Sequence, residues 1–114
     1  VAIEFFEAQF YISLMYRTGR GIPQDDKTAV KWHKLAAEQG YADAQFNLGV
    51  MYGKGWGVIR NRVYAHMWEN FASSNENEKG GKLRDFAAKE MTRSQLEKAQ
   101  DLARECIRKN YKGC

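Results

Sequence analysis

One stretch governs what this chain can fold into. The segment AQFNLGVMYGKGWGV, Ala44 to Val58, repeats in altered form the segment AQFYISLMYRTGRGI, Ala8 to Ile22. The shift is 36 residues and extends beyond the stretch itself, carrying Ala29, Trp32 and Ala36 onto Ala65, Trp68 and Ala72. A period of this length means stacked supersecondary units, because one unit alone cannot bury its apolar face. The expected fold class is therefore all-α: an αα-hairpin solenoid of two repeats in a right-handed stack, closed by C-terminal capping helices.

The local signals agree. Ala8, Ile12 and Tyr16 share one face at helical spacing and are expected to point inward. Ser13, and Gly49 at the matching place, are small enough to let a neighbouring helix come close. Gly19 and Gly21 read as a helix end followed by a tight turn, since glycine tolerates positive φ. Asp25 and Asn61 are N-cap residues for the second helix of each unit. That helix carries Ala29, Trp32 and Ala36, or Ala65, Trp68 and Ala72, as one apolar stripe. Gly40 stops it, and Asp43 enters the next first turn, where negative charge suits the helix dipole. Residues 1–7 (VAIEFFE) begin the first helix or finish an upstream one.

After Ser74 the period is lost. SSNENEKGG reads as polar and turn-like. Two helical runs follow, the first with Leu83, Phe86, Ala87 and Met91. The second opens on a Thr92–Gln95 capping-box pattern and carries Leu96, Ala99, Leu102, Ala103, Cys106 and Ile107 as a stripe. Repeat arrays need an atypical end to cover the last open face, and this tail suits that role. The expected division is 1–74 for the repeats, about 8–43 and 44–74, and 75–114 for the capping helices.

At these residues the chain resembles the Sel-1-like repeat family, relatives of the tetratricopeptide repeats. The motif falls on Ala8, Gln9, Tyr16, Gly19, Gly21, Pro23, Asp25, Ala29, Trp32, Ala36, Ala37 and Gly40. It falls again on Ala44, Gln45, Leu48, Gly49, Met51, Tyr52, Gly55, Gly57, Val58, Ala65, Trp68 and Ala72. The second copy lacks the Pro-Gln-Asp start and ends in Ser73 and Ser74, as a terminal repeat would. The resemblance covers about residues 8–74, and the tail from Met91 to Cys114 is similar to the C-terminal helices that close some bacterial members. It implies an adaptor or scaffold for other proteins and no shared catalytic site. Some secreted bacterial relatives are linked to β-lactam binding or hydrolysis, so the alternative is a cell-envelope enzyme or ligand binder acting on β-lactams or peptidoglycan. No Ser-x-x-Lys nucleophile is present.

Net charge is +4, and the segment after Ser74 holds 10 Lys/Arg against 7 Asp/Glu, alternating in sign. A nucleic-acid binder would favour a basic stripe with interleaved aromatics, which is missing. No apolar run approaches the 18 or so residues of a membrane span. The chain opens on Val1 and not Met, which reads as a processed or trimmed start. The Gly-x-Gly pairs follow no strand and lack a third glycine, so they do not cradle phosphate. His33 and His66 form no metal-ligand spacing and read as surface or half-buried side chains. No Ser-His-Asp or Cys-His set can be drawn, and the Asp25–Asp26 pair reads as a helix start. Neither a metal nor a cofactor is called for. The expected partner is a protein or peptide, and oligomeric state is left open.

The candidate groove lies on the outer face of the first helix of each unit: Phe10, Leu14, Phe46 and Val50, with Arg17 and Lys54 at its rim. An apolar stripe on a face that should see water is unusual for a monomer. The competing reading fills it with the C-terminal helices, or with a neighbouring repeat missing from this chain. Trp56, where the first copy has Arg20, is either an exposed anchor or a ring packed over its turn. Cys106 and Cys114 would lie about 12 Å apart on one continuous helix. A disulfide needs about 4.4 to 6.8 Å between Cα atoms. Bonding requires the helix to stop near Asn110 and fold back, which Asn110 and Gly113 permit. The bonded form implies an oxidising compartment, periplasmic or secreted; two reduced thiols would suit a cytoplasmic protein.

Overall fold

The structure is a computed structural model and describes residues 5–114. Six helices run in order: α1 (Phe5–Thr18), α2 (Asp26–Ala37), α3 (Ala42–Lys54), α4 (Arg62–Ser74), α5 (Glu78–Ala88) and α6 (Arg93–Arg108). There is no strand among the described residues. Helix α1 pairs with α2 and α3 with α4; α2 stacks on α3, and α4 carries α5 and α6. The result is an elongated stack of 43 × 26 × 24 Å.

The 36-residue step is visible atom by atom. The Asp25 carboxyl accepts from Thr28 N–H and the Asn61 carbonyl from Tyr64 N–H, so both predicted caps close the start of their helices. Asp25 N–H donates to Tyr16 O at 2.8 Å and Asn61 N–H to Tyr52 O at 2.9 Å. The side chains one residue earlier repeat the pattern. Gln24 donates to Arg17 O at 2.8 Å, and Arg60 to Gly53 O at 3.0 Å. Different side chains thus supply the same orphan-carbonyl partner at each first-helix end.

The period outlasts its own sequence signature. Helix α5 starts at Glu78, 36 residues after α3 starts at Ala42, and both are preceded by their caps, Tyr41 and Asn77. The turn-like SSNENEKGG is therefore divided: Ser73 and Ser74 finish α4, and Glu78 to Gly81 begin α5. Gly80 and Gly81 are buried against α4, where a Cβ on Gly80 would lie 2.8 Å from Glu69 O. They read as turn residues but serve close helix packing. Met91 lies past the end of α5 and is buried in the turn to α6. Helix α6 begins with the Thr92–Gln95 capping box, both hydrogen bonds formed.

The core runs from α2 through the second repeat to α6, with its largest side chains in the second repeat. Trp68, Phe71, Leu48, Met51 and Met67 are fully buried. Trp68 takes the expected core place, whereas Trp32 is only half-buried. On α1 the buried positions are Gln9 and Ser13, so the inward face is turned one residue from the expected one, and Ala8, Ile12 and Tyr16 are half-buried. The cause is polar: Gln9 Oε1 accepts from Gln39 at 2.6 Å, and its counterpart Gln45 accepts from Asn75 at 2.9 Å while donating to Ala37 O. A hydrophobic tally misses a buried, hydrogen-bonded glutamine. Ile107, placed on the stripe of α6, is 60% exposed.

Helix α6 ends at Arg108, and Asn110 and Tyr111 then take positive φ, 57° and 68°. The chain turns back and brings Cys114 to Cys106, with Cα atoms 5.8 Å apart and the sulfurs at bonding distance. Tyr111 is carried onto Phe71, ring centroids 5.1 Å apart.

Candidate functional site

The second repeat and α5 enclose a cleft of 410 Å³. Phe46, Val50 and Lys54 line one wall from α3, and Leu83, Phe86 and Ala87 the other from α5. Glu69 and Ala65 of α4 form its floor, with Arg60, Arg62 and Glu90 at the mouth. The spacing of Phe46, Val50 and Lys54 at i, i+4 and i+8 puts them on one helix face. Phe86 is 66% exposed, so the cleft presents an open apolar wall.

Its floor is unusual. Glu69 is 2% exposed, and its Oε1 has no hydrogen-bond partner. Burial pushes its carboxyl up to about 7, and the nearby Arg84 guanidinium only partly opposes the rise. Arg84 is occupied elsewhere, donating to Asn70 at 2.8 Å and pairing with Asp85 at 2.9 Å. At the mouth Arg62 pairs with Glu90 at 3.5 Å, leaving Lys54 and Arg60 as the net positive edge.

The same position in the first repeat is His33, fully buried and satisfied at both ring nitrogens. Nδ1 lies 3.0 Å from Ala29 O, and Nε2 3.2 Å from the Asn47 side-chain amide of α3. That geometry fits a neutral ring donating through Nδ1 and accepting at Nε2. Burial accordingly lowers its pKa to about 4. His66 is buried too, beside Arg84 and Asp85, and its pKa is lowered chiefly by burial. Both histidines were expected nearer the surface. Helical pattern alone placed them poorly, because each lies one residue from the tryptophan stripe or between its members.

The sequence-predicted groove residues divide into three places. Phe46, Val50 and Lys54 meet in the cleft. Phe10 does not line it: its ring stands edge-on to Tyr41 at 5.2 Å and to His33 at 5.6 Å. The interface between the repeats covers it, an outcome that neither the open groove nor its filling by the C-terminal helices anticipated. Leu14 lines a separate shallow depression with Tyr11, Met15, Thr18 and Arg20. Arg17 joins Lys54 over the Trp56 ring, at 4.4 and 4.7 Å from its centroid. Trp56 is half-buried and packed across the two units. Sequence reasoning missed Glu69, Leu83 and Phe86. The signal was present: a glutamate at the repeat position of a buried histidine, and α5 in register with α3.

Among the described residues no group of three or more His, Cys, Asp or Glu side chains is placed to hold a metal ion. No helix there is long and apolar enough to cross a membrane.

Stacked αα-hairpins that present a surface from their first helices define a helical-repeat scaffold. The Sel1 repeat profile matches residues 6–41 and 42–74, and the chain belongs to that family. Its fold is similar to the crystal structure of c5321, a protective antigen present in uropathogenic Escherichia coli strains displaying an SLR fold, at 37% identity and TM-score 0.88 over 92% of this chain. It is also similar to a Sel1 repeat protein from Oxalobacter formigenes, at 36% identity and TM-score 0.71 over 72% of this chain. The chain spans 23% and 34% of the lengths of those two. No curated protein matches it. Sel1 repeat proteins generally mediate protein–protein interaction, and the family is typically non-catalytic scaffolding.

Proposed function

We propose that the chain is a non-catalytic adaptor module that seats a peptide or partner protein in the cleft between α3 and α5. The observation that carries this reading is the open apolar wall of Phe46, Val50, Leu83 and Phe86, with Phe86 66% exposed. Apolar surface left in a concave place between helices is what helix-in-groove and peptide recognition use. Lys54 and Arg60 at the mouth add orientation and on-rate for an acidic partner. Arg17, Lys54 and Trp56 brace the two units, so the wall stays in position. An enzyme or ligand binder for β-lactams or peptidoglycan needs several polar groups converging on one reacting atom. Here the walls are apolar, Glu69 alone is acidic on the floor, and the other charged groups stand at the mouth, which favours the adaptor. The Cys106–Cys114 pair at bonding distance supports a periplasmic or secreted location.

Selection of a random peptide library on the immobilised chain tests the reading. Enriched peptides are expected to lose about tenfold affinity or more against Phe46→Glu, as loss of a central contact does. Equal affinity for the variant and the parent would remove the cleft as the binding face.

A further inference from the structure

The first repeat interface already holds an aromatic ring where the second has the cleft. Trp56 lies on Arg17 and Lys54, and the next residue, Gly57, approaches the backbone of Asp26 so closely that a Cβ would sit 2.4 Å from its oxygen. One step of 36 residues turns Arg17, Asp26 and Lys54 into Gly53, Arg62 and Glu90. All three line the cleft. The same step turns Trp56 into Thr92, which caps α6 and offers no ring. The chain therefore supplies an indole to one interface and leaves the equivalent position of the next one open to a guest.

We propose that the cleft takes a single aromatic side chain bearing a hydrogen-bond donor, tryptophan or tyrosine, from an acidic segment of the partner, with that donor on the Glu69 carboxyl. The inference rests on the adaptor reading and names its anchor. Three features select the guest. The walls are apolar and the cleft, at 410 Å³, has the size of a small-ligand site, so a large ring fits. Glu69 lines the cleft with a buried carboxyl whose sealed Oε1 has no partner, so a donor brought to this carboxyl relieves a costly burial. An indole N–H or a phenol O–H at the tip of an apolar body meets both demands. Lys54 and Arg60 face the flanks, so acidic neighbours are favoured and basic ones repelled. A leucine anchor would fill volume and leave Glu69 unmet.

The test uses the full chain, ¹⁵N-labelled, and three acetylated peptides: Asp-Glu-Trp-Glu-Asp, its Trp-to-Leu form, and Lys-Lys-Trp-Lys-Lys. The acidic Trp peptide is expected to shift the amide signals of Phe46, Val50, Glu69 and Phe86. It is expected to bind about tenfold or more tighter than either of the others. Glu69→Leu should weaken the Trp peptide by about tenfold, and Glu69→Gln, which keeps an acceptor, by no more than about threefold. Leu83→Trp, which fills the cleft from within, should abolish binding while its spectrum remains that of a folded chain. Equal affinity of the Trp and Leu peptides at the cleft overturns the aromatic anchor and leaves the adaptor reading standing. Shifts mapping away from α3 and α5 overturn both. No binding by any peptide at about 1 mM, the weakest affinity worth about 4 kcal/mol, also overturns the anchor, while the library selection judges the broader reading by itself.

Discussion

The two repeat interfaces are built on the same positions and end differently. Between the first and second units the buried polar residue is His33, and α3 answers it with Asn47. Between the second unit and α5 it is Glu69, and the residue at the Asn47 position is Leu83, which has nothing to donate. Phe10 is covered by Tyr41 and His33, while its counterpart Phe46 faces the cleft. Trp56 spans the first interface, and Thr92 does not span the second. Helix α5 leans on α4 through Gly80 and Gly81 and only lightly on α3. One interface is closed by complementary side chains, and the other keeps its backbone register but lacks the groups that would close it. If the cleft seats a partner as proposed, its surface arises by subtraction, with no new element required.

The sharpest break in the comparison is at the two turn glycines. Gly21 and Gly57 are equivalent and both have positive φ, 78° and 74°. A Cβ on Gly21 meets only Met15 Cε at 3.8 Å, whereas on Gly57 it would lie 2.4 Å from Asp26 O. Gly21→Ala should cost about 1 to 2 kcal/mol, the strain of the left-handed backbone alone. Gly57→Ala adds an overpacking term and should cost about 3 to 4 kcal/mol. Urea denaturation of both variants measures the difference. Equal losses would mean the second turn does not press on the first unit.

The titration of the two buried polar groups comes next. His33 has a folded pKa of about 4 against an ordinary 6.5, so the unfolded chain binds its proton more tightly. Its contribution to stability is present above pH 6.5 and is lost as pH falls toward 4. Glu69 has a folded pKa of about 7 against 4.5, so the folded chain binds that proton more tightly. Its neutral form is tolerated below pH 4.5, and stability is lost as pH rises through about 7. Each span corresponds to about 3 kcal/mol as an upper figure. The two slopes oppose each other between pH 4.5 and 6.5, and the parent should be nearly flat there. His33→Gln should expose the Glu69 limb, with the melting temperature falling as pH rises from 5 to 8. Glu69→Gln should expose the other, with the melting temperature falling as pH drops from 7 to 4. Parallel profiles for parent and both variants would sink the assignment.

Much of this was legible before any coordinates. The period, the Asp25 and Asn61 caps, the glycine stops and the Thr92 capping box are local chemistry, and local chemistry is written within a few residues. The match of Phe46, Val50 and Lys54 to one helix face follows from spacing alone. What could not be seen lies in contacts across distant segments. Phe10 and Phe46 are identical residues at identical positions, and Tyr41 and His33 against Asn77 and Glu69, each pair at the same distance along the chain, separate a covered ring from an open one. The continued register of α5 was hidden because Gly80 and Gly81 hold the positions of Ala44 and Gln45, and two glycines in a polar run look like a turn. Burial of His33 and Glu69 was hidden for a related reason: their environment comes from helices before and after them, and no window of sequence contains both.

The tail braces the second unit apart from the cleft. Tyr111 is held on Phe71 by a return of the chain that Cys106 and Cys114 close. Closing a loop of sequence separation 8 removes unfolded-state entropy worth about 2.5 kcal/mol. Cys114→Ser, compared with the parent under non-reducing conditions, should lower stability by about that amount. Near-ultraviolet dichroism should report the loosened Tyr111 first. The cleft is lined from α3, α4 and α5, so peptide affinity should survive at temperatures where the variant is folded. A parent unchanged in stability by reduction would show that the bond contributes little.

The finest distinction is between two hydrogen bonds at one repeat position. Gln39 donates to Gln9, and Asn75 donates to Gln45. Gln45 is fully buried and Gln9 nearly so, at 0% and 4% exposed. The donors differ: Gln39 is exposed, and Asn75 is half-buried and also lies 3.4 Å from the Tyr111 hydroxyl. Removing Gln39 leaves an acceptor at the edge of the first unit that water can reach, so Gln39→Ala should cost about 0.5 to 1 kcal/mol. Removing Asn75 leaves the Gln45 oxygen sealed inside and the Tyr111 hydroxyl without this neighbour, so Asn75→Ala should cost about 1 to 3 kcal/mol. A double variant with Tyr111→Phe tests the coupling, because part of the Asn75 loss should vanish once the hydroxyl is gone. Equal costs for Gln39→Ala and Asn75→Ala would mean that the tail does not seal the second unit, and that the two interfaces differ only at the cleft.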